Sequence, residues 1–250
     1  MVMAHSNPLF ERTHILLGDV GIERLQQAHI LIAGMGGVGS FTAEALARMG
    51  VGKLTLVDHD VVSASNLNRQ LVALRSTIDV LKADVMATRI AEINPDCQVR
   101  RITEFLTPDT IPDLLDDGFD VVVDAIDSLS SKTALIETAW RSNLPIFASM
   151  GAGGKLDPTQ IRTGDLMDTQ MCKLAKHLRS RLRKHGVGRG IQTVYSLESP
   201  LPPLPPEPVS RGRARAVNGT VSYMPSIFGL TLAGLVTNHL IGGARRDTSS

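Results

Sequence analysis

The sequence is poor in cysteine, in net charge and in long apolar runs, and each shortage removes a class of protein. Its two cysteines, Cys97 and Cys172, lie far apart and neither belongs to a CxxC pair. That argues against a disulfide framework and against a thiolate zinc site. Cys97 reads as core, and so does Cys172, although it borders a basic run where a thiolate would be favoured. The formal net charge is +1, so the chain as a whole is no basic nucleic-acid binder, and a nucleic-acid contact has to be a local patch. Met1 to Pro8 lacks a charged start followed by an apolar core, the pattern of a secretory signal. The apolar stretch Ile227 to Ile241 spans 15 residues and is interrupted by Thr231, Thr237, Asn238 and His239. A membrane span needs roughly 20, so this stretch reads as a core or dimer-interface helix, with His239 a partly buried structural histidine. No internal repeat is visible. These absences leave a soluble, cytoplasmic, globular chain, long enough at 250 residues for one substantial core.

What is present is an alternation of strand and helix signals. Phe10 to Gln27 reads as an amphipathic helix, and His29 to Ala33 as a short apolar strand. The strand runs into Gly34-Met35-Gly36-Gly37-Val38-Gly39, after which Ser40 to Met49 reads as a helix and Lys53 to Asp58 as a second strand. Helical spacing over Val80 to Ile93 stops at Asn94-Pro95, and Gln98 to Ile102 reads as a strand. Phe119 to Ala125 holds the apolar run Val121 to Val123 closed by Asp124, as suits a central parallel strand buried on both faces. Lys132 to Ser142 reads as a helix and Pro145 to Met150 as the next strand. The pattern predicts an α/β, doubly wound, mostly parallel Rossmann-like sheet. A C-terminal extension would add a basic helix and a mobile loop. The expected organisation is one domain over 1–250: an arm at 10–27, a nucleotide-binding core at 28–165, the basic helix, proline-rich loop and C-terminal helix at 166–243, and a disordered tail at 244–250.

Gly34, Gly36 and Gly39 fit GxGxxG: a tight turn, close approach of a phosphate to the backbone, and helix-on-strand packing. The helix that follows offers free N–H groups and a positive dipole end to an anion. Asp58 falls 19 residues after Gly39, at the end of the second strand, where a carboxylate holds ribose hydroxyls. Beyond it come Asp60, Asn66, Arg69 and Gln70, then Lys82 on the next helix, then Asp127 at the end of the central strand. In a doubly wound sheet these strand ends share one edge. A hydride-transfer site has no use for so much cationic charge beside the pyrophosphate. An adenylation site does, because Arg69 and Lys82 clamp a triphosphate and stabilise charge at the α-phosphate. Asp127 is placed to hold Mg²⁺, to cap the following helix, or both. Rival classes are a nicotinamide or flavin oxidoreductase and a non-catalytic adenylating fold kept for assembly.

Residues 173–189 form a basic run: Lys173, Lys176, Arg179, Arg181, Arg183, Lys184 and Arg189, with no acid between Asp168 and Glu198. On a helix these cations would surround much of its circumference, which suits salt-sensitive, sequence-blind phosphate contact. Pro200 to Pro208 is proline-rich, and Arg211, Arg213 and Arg215 follow it.

The segments GMGGVGS (34–40), VDHDVVSASNLNRQ (57–70), LKADVMATRIAEINP (81–95) and DAIDS (124–128) resemble the ubiquitin-activating-enzyme-like adenylating superfamily. The resemblance implies Mg-ATP binding at Gly36, Asp58, Asn66, Arg69, Lys82 and Asp127, with Gly37, Asp60 and Gln70 in the same segments. LFERTHILLG (9–18) is similar to that superfamily's N-terminal arm, which implies a homodimer with Arg12 reaching the partner's site. Leu9 stands where the arm usually carries an arginine. GAGGKLDPTQIRTGDL (151–166) and the run 173–187 extend the resemblance to the tRNA threonylcarbamoyladenosine dehydratases. Some of these carry a cysteine in the segment that reads NGTVSYMPSIFG (218–229) here, where this chain has none. The resemblance implies ATP and Mg²⁺ as cofactors, tRNA as substrate and partner, and cyclisation through an acyl-adenylate. The alternative it leaves open is adenylation of the C-terminus of a ubiquitin-like or sulfur-carrier protein, with a carrier or sulfur-transfer protein as partner.

Overall fold

The structure is a computed structural model that describes residues 7–205 and 218–243. Seven strands form one sheet: β1 (His29–Ala33), β2 (Lys53–Val57), β3 (Gln98–Ile102), β4 (Val121–Asp124), β5 (Ile146–Ser149), β6 (Ile161–Asp165) and β7 (Ile191–Ser196). Their spatial order is β3-β2-β1-β4-β5-β7-β6. Every pairing is parallel except β6 with β7.

Side chains of a strand point alternately to its two faces, and here both faces are core. Ile30, Ile32, Leu54, Leu56, Val121 and Val123 belong to one apolar cluster. Leu31, Ala33, Val57 and Val122 belong to the other. The first cluster is closed by α1 (Glu11–Gln27), α2 (Gly39–Met49), α3 (Lys82–Ile93) and α7 (Tyr223–Ile241). The second is closed by α4 (Ile111–Leu115), α5 (Leu129–Arg141) and α6 (Lys173–Lys184). Strand order reverses between β1 and β4, so a crevice opens at their C-terminal ends.

The nucleotide half follows the sequence pattern closely: β1 and β3 begin and end where expected, and α2 and β2 differ by one residue at an end. Three elements were not anticipated. α4 is only five residues long and carries a proline at its start. β6 reads Ile-Arg-Thr-Gly-Asp, with one apolar side chain and no alternation to betray it. β7 is more apolar but follows the basic run directly. It lies between β5 and β6, so the C-terminal half supplies sheet as well as appendage.

α7 is longer than expected, at 19 residues, because Tyr223 to Ser226 join it. By length and composition it is a helix long and apolar enough to cross a membrane. Its packing is that of a core helix: Met224, Phe228, Leu232 and Val236 are fully buried, each contributing about 1.5–3 kcal/mol of apolar burial. A side chain at Gly229 would lie 2.3 Å from the Val38 carbonyl, which is how closely α7 packs on α2. His239 is exposed rather than partly buried, and sets its edge against Phe147 at 5.5 Å. The expected tail at 244–250, Arg211, Arg213, Arg215 and the end of the proline-rich loop lie outside the described residues.

Candidate active site

The glycine turn is held by backbone crowding. Gly34 has φ +94°, a left-handed conformation that favours glycine, and a Cβ there would sit 2.7 Å from the Ala125 carbonyl oxygen. A Cβ at Gly39 would lie 1.7 Å from the Gly34 oxygen, and one at Gly37 would lie 2.9 Å from Pro225. Gly36 differs. Its missing side chain would meet only Gln70 Nε2, at 3.8 Å, so this glycine opens onto space rather than protein. No side chain caps the N-terminus of α2; Ser40 N and Thr42 N donate to the Gly36 and Val38 carbonyls, which leaves the Gly39 and Phe41 N–H groups and the positive helix end for an anion. The Gln70 Oε1 beside this turn is buried with no hydrogen-bond partner, a group that a bound ligand or its water would satisfy.

Asp58 ties the second strand end to the turn. One carboxylate oxygen accepts from Met35 N at 2.6 Å and the other from Asp60 N at 2.9 Å. A carboxylate accepts about four hydrogen bonds, so capacity remains for ribose hydroxyls. Lys82 opens α3 with its ammonium on Asp60 at 2.7 Å and only 6% of the residue exposed. Asn66 is buried and accepts from Ser63 N at 3.1 Å, while its own carbonyl accepts from the amides of Arg69 and Gln70. Asn66 therefore shapes the 63–70 loop. Arg69 is half-buried, and its Nη1 donates to Ser65 O at 2.8 Å and Asn68 Oδ1 at 2.9 Å. That leaves the Nε and Nη2 hydrogens for an incoming phosphate.

Asp127 is exposed and, among the described residues, makes no hydrogen bond or ion pair. The cap position of α5 belongs to Ser128, so the capping role expected of Asp127 is not seen. An unengaged carboxylate suits a hard cation. Asp58, His59 and Asp60 also bring ligand atoms close together, but Asp58 holds backbone amides and Asp60 holds Lys82, so this group is already engaged.

Sequence reasoning missed a buried pair beneath Asp127. Asp124, at the end of β4, and Lys132, one turn into α5, are both 0% exposed and paired. Lys132 also donates to the Ser149 carbonyl at 3.0 Å. Burial pushes the Asp124 carboxyl up from its ordinary value, and the Lys132 ammonium opposes that. The signal was Asp124 itself, an acid closing an apolar strand with a lysine eight residues on.

Arg12 lies on α1, exposed and without a hydrogen bond or ion pair to the nucleotide cluster of its own chain. The arm is anchored by Phe10, buried against Gly50, and breaks at Gly18 (φ 64°). It leaves Ile15, Leu16 and Val20 exposed.

On α6 the cations do not surround the helix as expected. Ala175, Leu178 and Leu182 form a buried stripe on α5, and Arg179 is turned inward. Its Nη1 donates to the Thr169 carbonyl at 2.8 Å and to the Thr169 hydroxyl, closing the 166–169 turn. Lys173, Lys176, Arg181, Arg183 and Lys184 are exposed and have no ion pair among the described residues. Arg189 is neutralised by Asp168 through two bonds, at 2.6 and 2.8 Å.

Fold and site together define an α/β protein of the nucleotide-binding kind, with a glycine turn at the switch point of its sheet and Asp58, Arg69 and Lys82 on the segments that border it. The chain belongs to the ThiF family, whose profile matches residues 10–249. It is similar to the tRNA threonylcarbamoyladenosine dehydratase of Bacillus subtilis (strain 168), at 38% identity over 239 residues, 93% of this chain and 94% of that one. The protein of that name from Escherichia coli (strain K12) is 44% identical over 197 residues, covering 76% of this chain and 74% of its own length. Among solved structures, E. coli tRNA N6-threonylcarbamoyladenosine dehydratase, TcdA, in complex with ATP matches with TM-score 0.87 at 36% identity, over 98% of both chains.

Proposed function

We propose that this chain is an ATP-dependent dehydratase that cyclises threonylcarbamoyladenosine next to the anticodon of tRNA. One observation carries the reading. Buried Lys82, partly free Arg69 and unengaged Asp127 lie on segments that border the glycine turn, through Asp60 and Asp58, the Arg69 carbonyl and Ala125 respectively, in a chain similar over nearly its whole length to dehydratases of that name, and that supports the reading.

The chemistry runs in two steps. The substrate carboxylate attacks the α-phosphate of ATP, giving an acyl-adenylate and pyrophosphate. The carbamoyl nitrogen or oxygen of the same substrate then attacks the activated carbonyl, AMP leaves with the former carboxylate oxygen, and a proton is released. The net change in the nucleoside is loss of one water. Because the nucleophile is already in the substrate, high effective molarity does much of the work. No enzyme thiol is needed, and both cysteines are buried.

Arg69 and Lys82 neutralise phosphate charge, Asp58 holds the ribose, and the α2 N-terminus faces the phosphates. Asp127 is the residue for Mg²⁺, which shields the triphosphate and orients the leaving pyrophosphate. Arg12 completes the site from the second copy of a homodimer, whose contact includes the exposed apolar residues of α1. The exposed cations of α6 receive the tRNA backbone, and the reaction is cytoplasmic, where tRNA is found.

The test is mass spectrometry of nucleosides from threonylcarbamoyl-modified tRNA incubated with the protein, ATP and Mg²⁺, with mild work-up to keep the ring closed. The expected result is loss of one water, dependent on ATP and abolished in Asp127→Ala. Unchanged tRNA, with pyrophosphate exchange driven by a carrier protein, would refute it and assign the chain to carrier activation.

A further inference from the structure

We propose that the buried Asp124–Lys132 pair is a positioning unit for the ATP site, presetting the turn that carries Asp127 and walls the glycine turn. The proposal rests on the reading of Asp127 as an ATP-facing group.

Asp124 uses both oxygens. One accepts from Lys132, and the other accepts from Ile126 N at 3.2 Å, inside the turn that leads to Asp127. Lys132 in turn holds the Ser149 carbonyl at 3.0 Å, at the end of β5. The pair therefore pins the ends of two neighbouring strands and the first peptide groups of the loop above them. Ala125 is wedged between these bonds and the glycine turn. Its N–H donates to Ala33 O at 2.8 Å, and its carbonyl oxygen is 2.7 Å from a Cβ built at Gly34. Its own Cβ is 3.2 Å from one built at Gly39. A loop that relaxes here moves Asp127 and loosens the wall of the phosphate turn in the same motion.

Stability alone does not account for the pair. Two charges at 0% exposure carry a heavy desolvation cost. Replacing such a pair by apolar residues of similar volume is often neutral or favourable. What the apolar replacement loses is the directional bond to Ile126 N, and with it a single conformation of the turn.

The experiment is a double-mutant cycle read by ATP affinity, titrated calorimetrically on the full chain with Mg²⁺ and without tRNA. Asp124→Asn, Asp127→Ala and their combination are compared with the parent. The expected result is that Asp124→Asn weakens ATP binding about tenfold, and that it costs clearly less once Asp127 is already alanine, the remainder being the share that acts through the glycine turn. Parent-like affinity in Asp124→Asn, or additive losses, would overturn the proposal while leaving the role of Asp127 intact. Parent-like affinity in Asp127→Ala would overturn that role and this proposal together. If Asp124→Asn does not fold, the apolar double variant Asp124→Leu/Lys132→Met takes its place in the cycle. Failure of both to fold assigns the pair to the scaffold and also overturns the proposal.

Discussion

Lys82 and Lys176 are both lysines on helices that flank the same sheet. Lys82 is 6% exposed, and its ammonium rests on Asp60 at 2.7 Å. Lys176 stands in solvent beside four other exposed cations of α6, none of them in an ion pair among the described residues. At the nucleotide edge Asp58, Asp60 and Lys82 are each held in one place by named partners, so loss of a single one of them should be expensive. The α6 face offers charge by number, so its effect accumulates with each cation and is screened by salt. The two regions therefore predict two kinds of mutational response in one enzyme.

The sharpest contrast comes from Lys82→Ala. ATP-dependent dehydration should fall by about 100-fold or more, as when a preorganised electrostatic group is removed, while tRNA affinity stays at the parent value. A filter-binding measurement alongside turnover checks both, and a matching loss of tRNA binding would break the comparison. Next in size is the triple reversal Lys176→Glu/Arg181→Glu/Arg183→Glu. It should lower tRNA affinity and flatten the slope of log affinity against log salt by about 2–3, with the KM for ATP unchanged. Equal tRNA affinity in that variant would remove α6 from the interface.

Arg179 separates charge from architecture within the same helix. Arg179→Ala leaves the Thr169 carbonyl and hydroxyl without their donor, so it should cost about 1–3 kcal/mol of stability. Its salt slope should match the parent, and calorimetric melting with salt-titrated binding would show which description holds. The smallest effect belongs to Cys97. Burial pushes its thiol up to about 11 in the folded chain. The unfolded thiol therefore ionises first as pH rises, unfolding releases a proton, and stability falls on the alkaline side. Cys97→Ala should flatten that alkaline limb slightly and leave turnover untouched, as read from melting between pH 8 and pH 11.

The contrast also explains what the sequence could reveal. Gly34, Gly39, Asp58 and Asn66 act through contacts made within a few residues or with the adjoining strand end, so their spacing is written along the chain. Arg179 and Arg181 are two residues apart and chemically identical, and only the packing of Leu178 and Leu182 decides which faces protein. Lys132 gave no sign of its partner, because a lysine near a helix start is usually solvated, and only the depth of β4 makes this one buried. β6 escaped because an edge strand needs few apolar side chains.

The position of β7 has a bearing on modularity. The chain leaves β6, runs through the basic helix, and returns as β7 into the gap between β5 and β6. The basic helix α6 thus lies on the chain path that connects the edge strand β6 to the interior strand β7. It cannot be trimmed away to leave a minimal adenylating domain, nor lifted out and transplanted as a cassette, without opening the sheet that carries the catalytic edge. Exchanging the exposed side chains of that helix changes its surface charge without disturbing the strand order it serves.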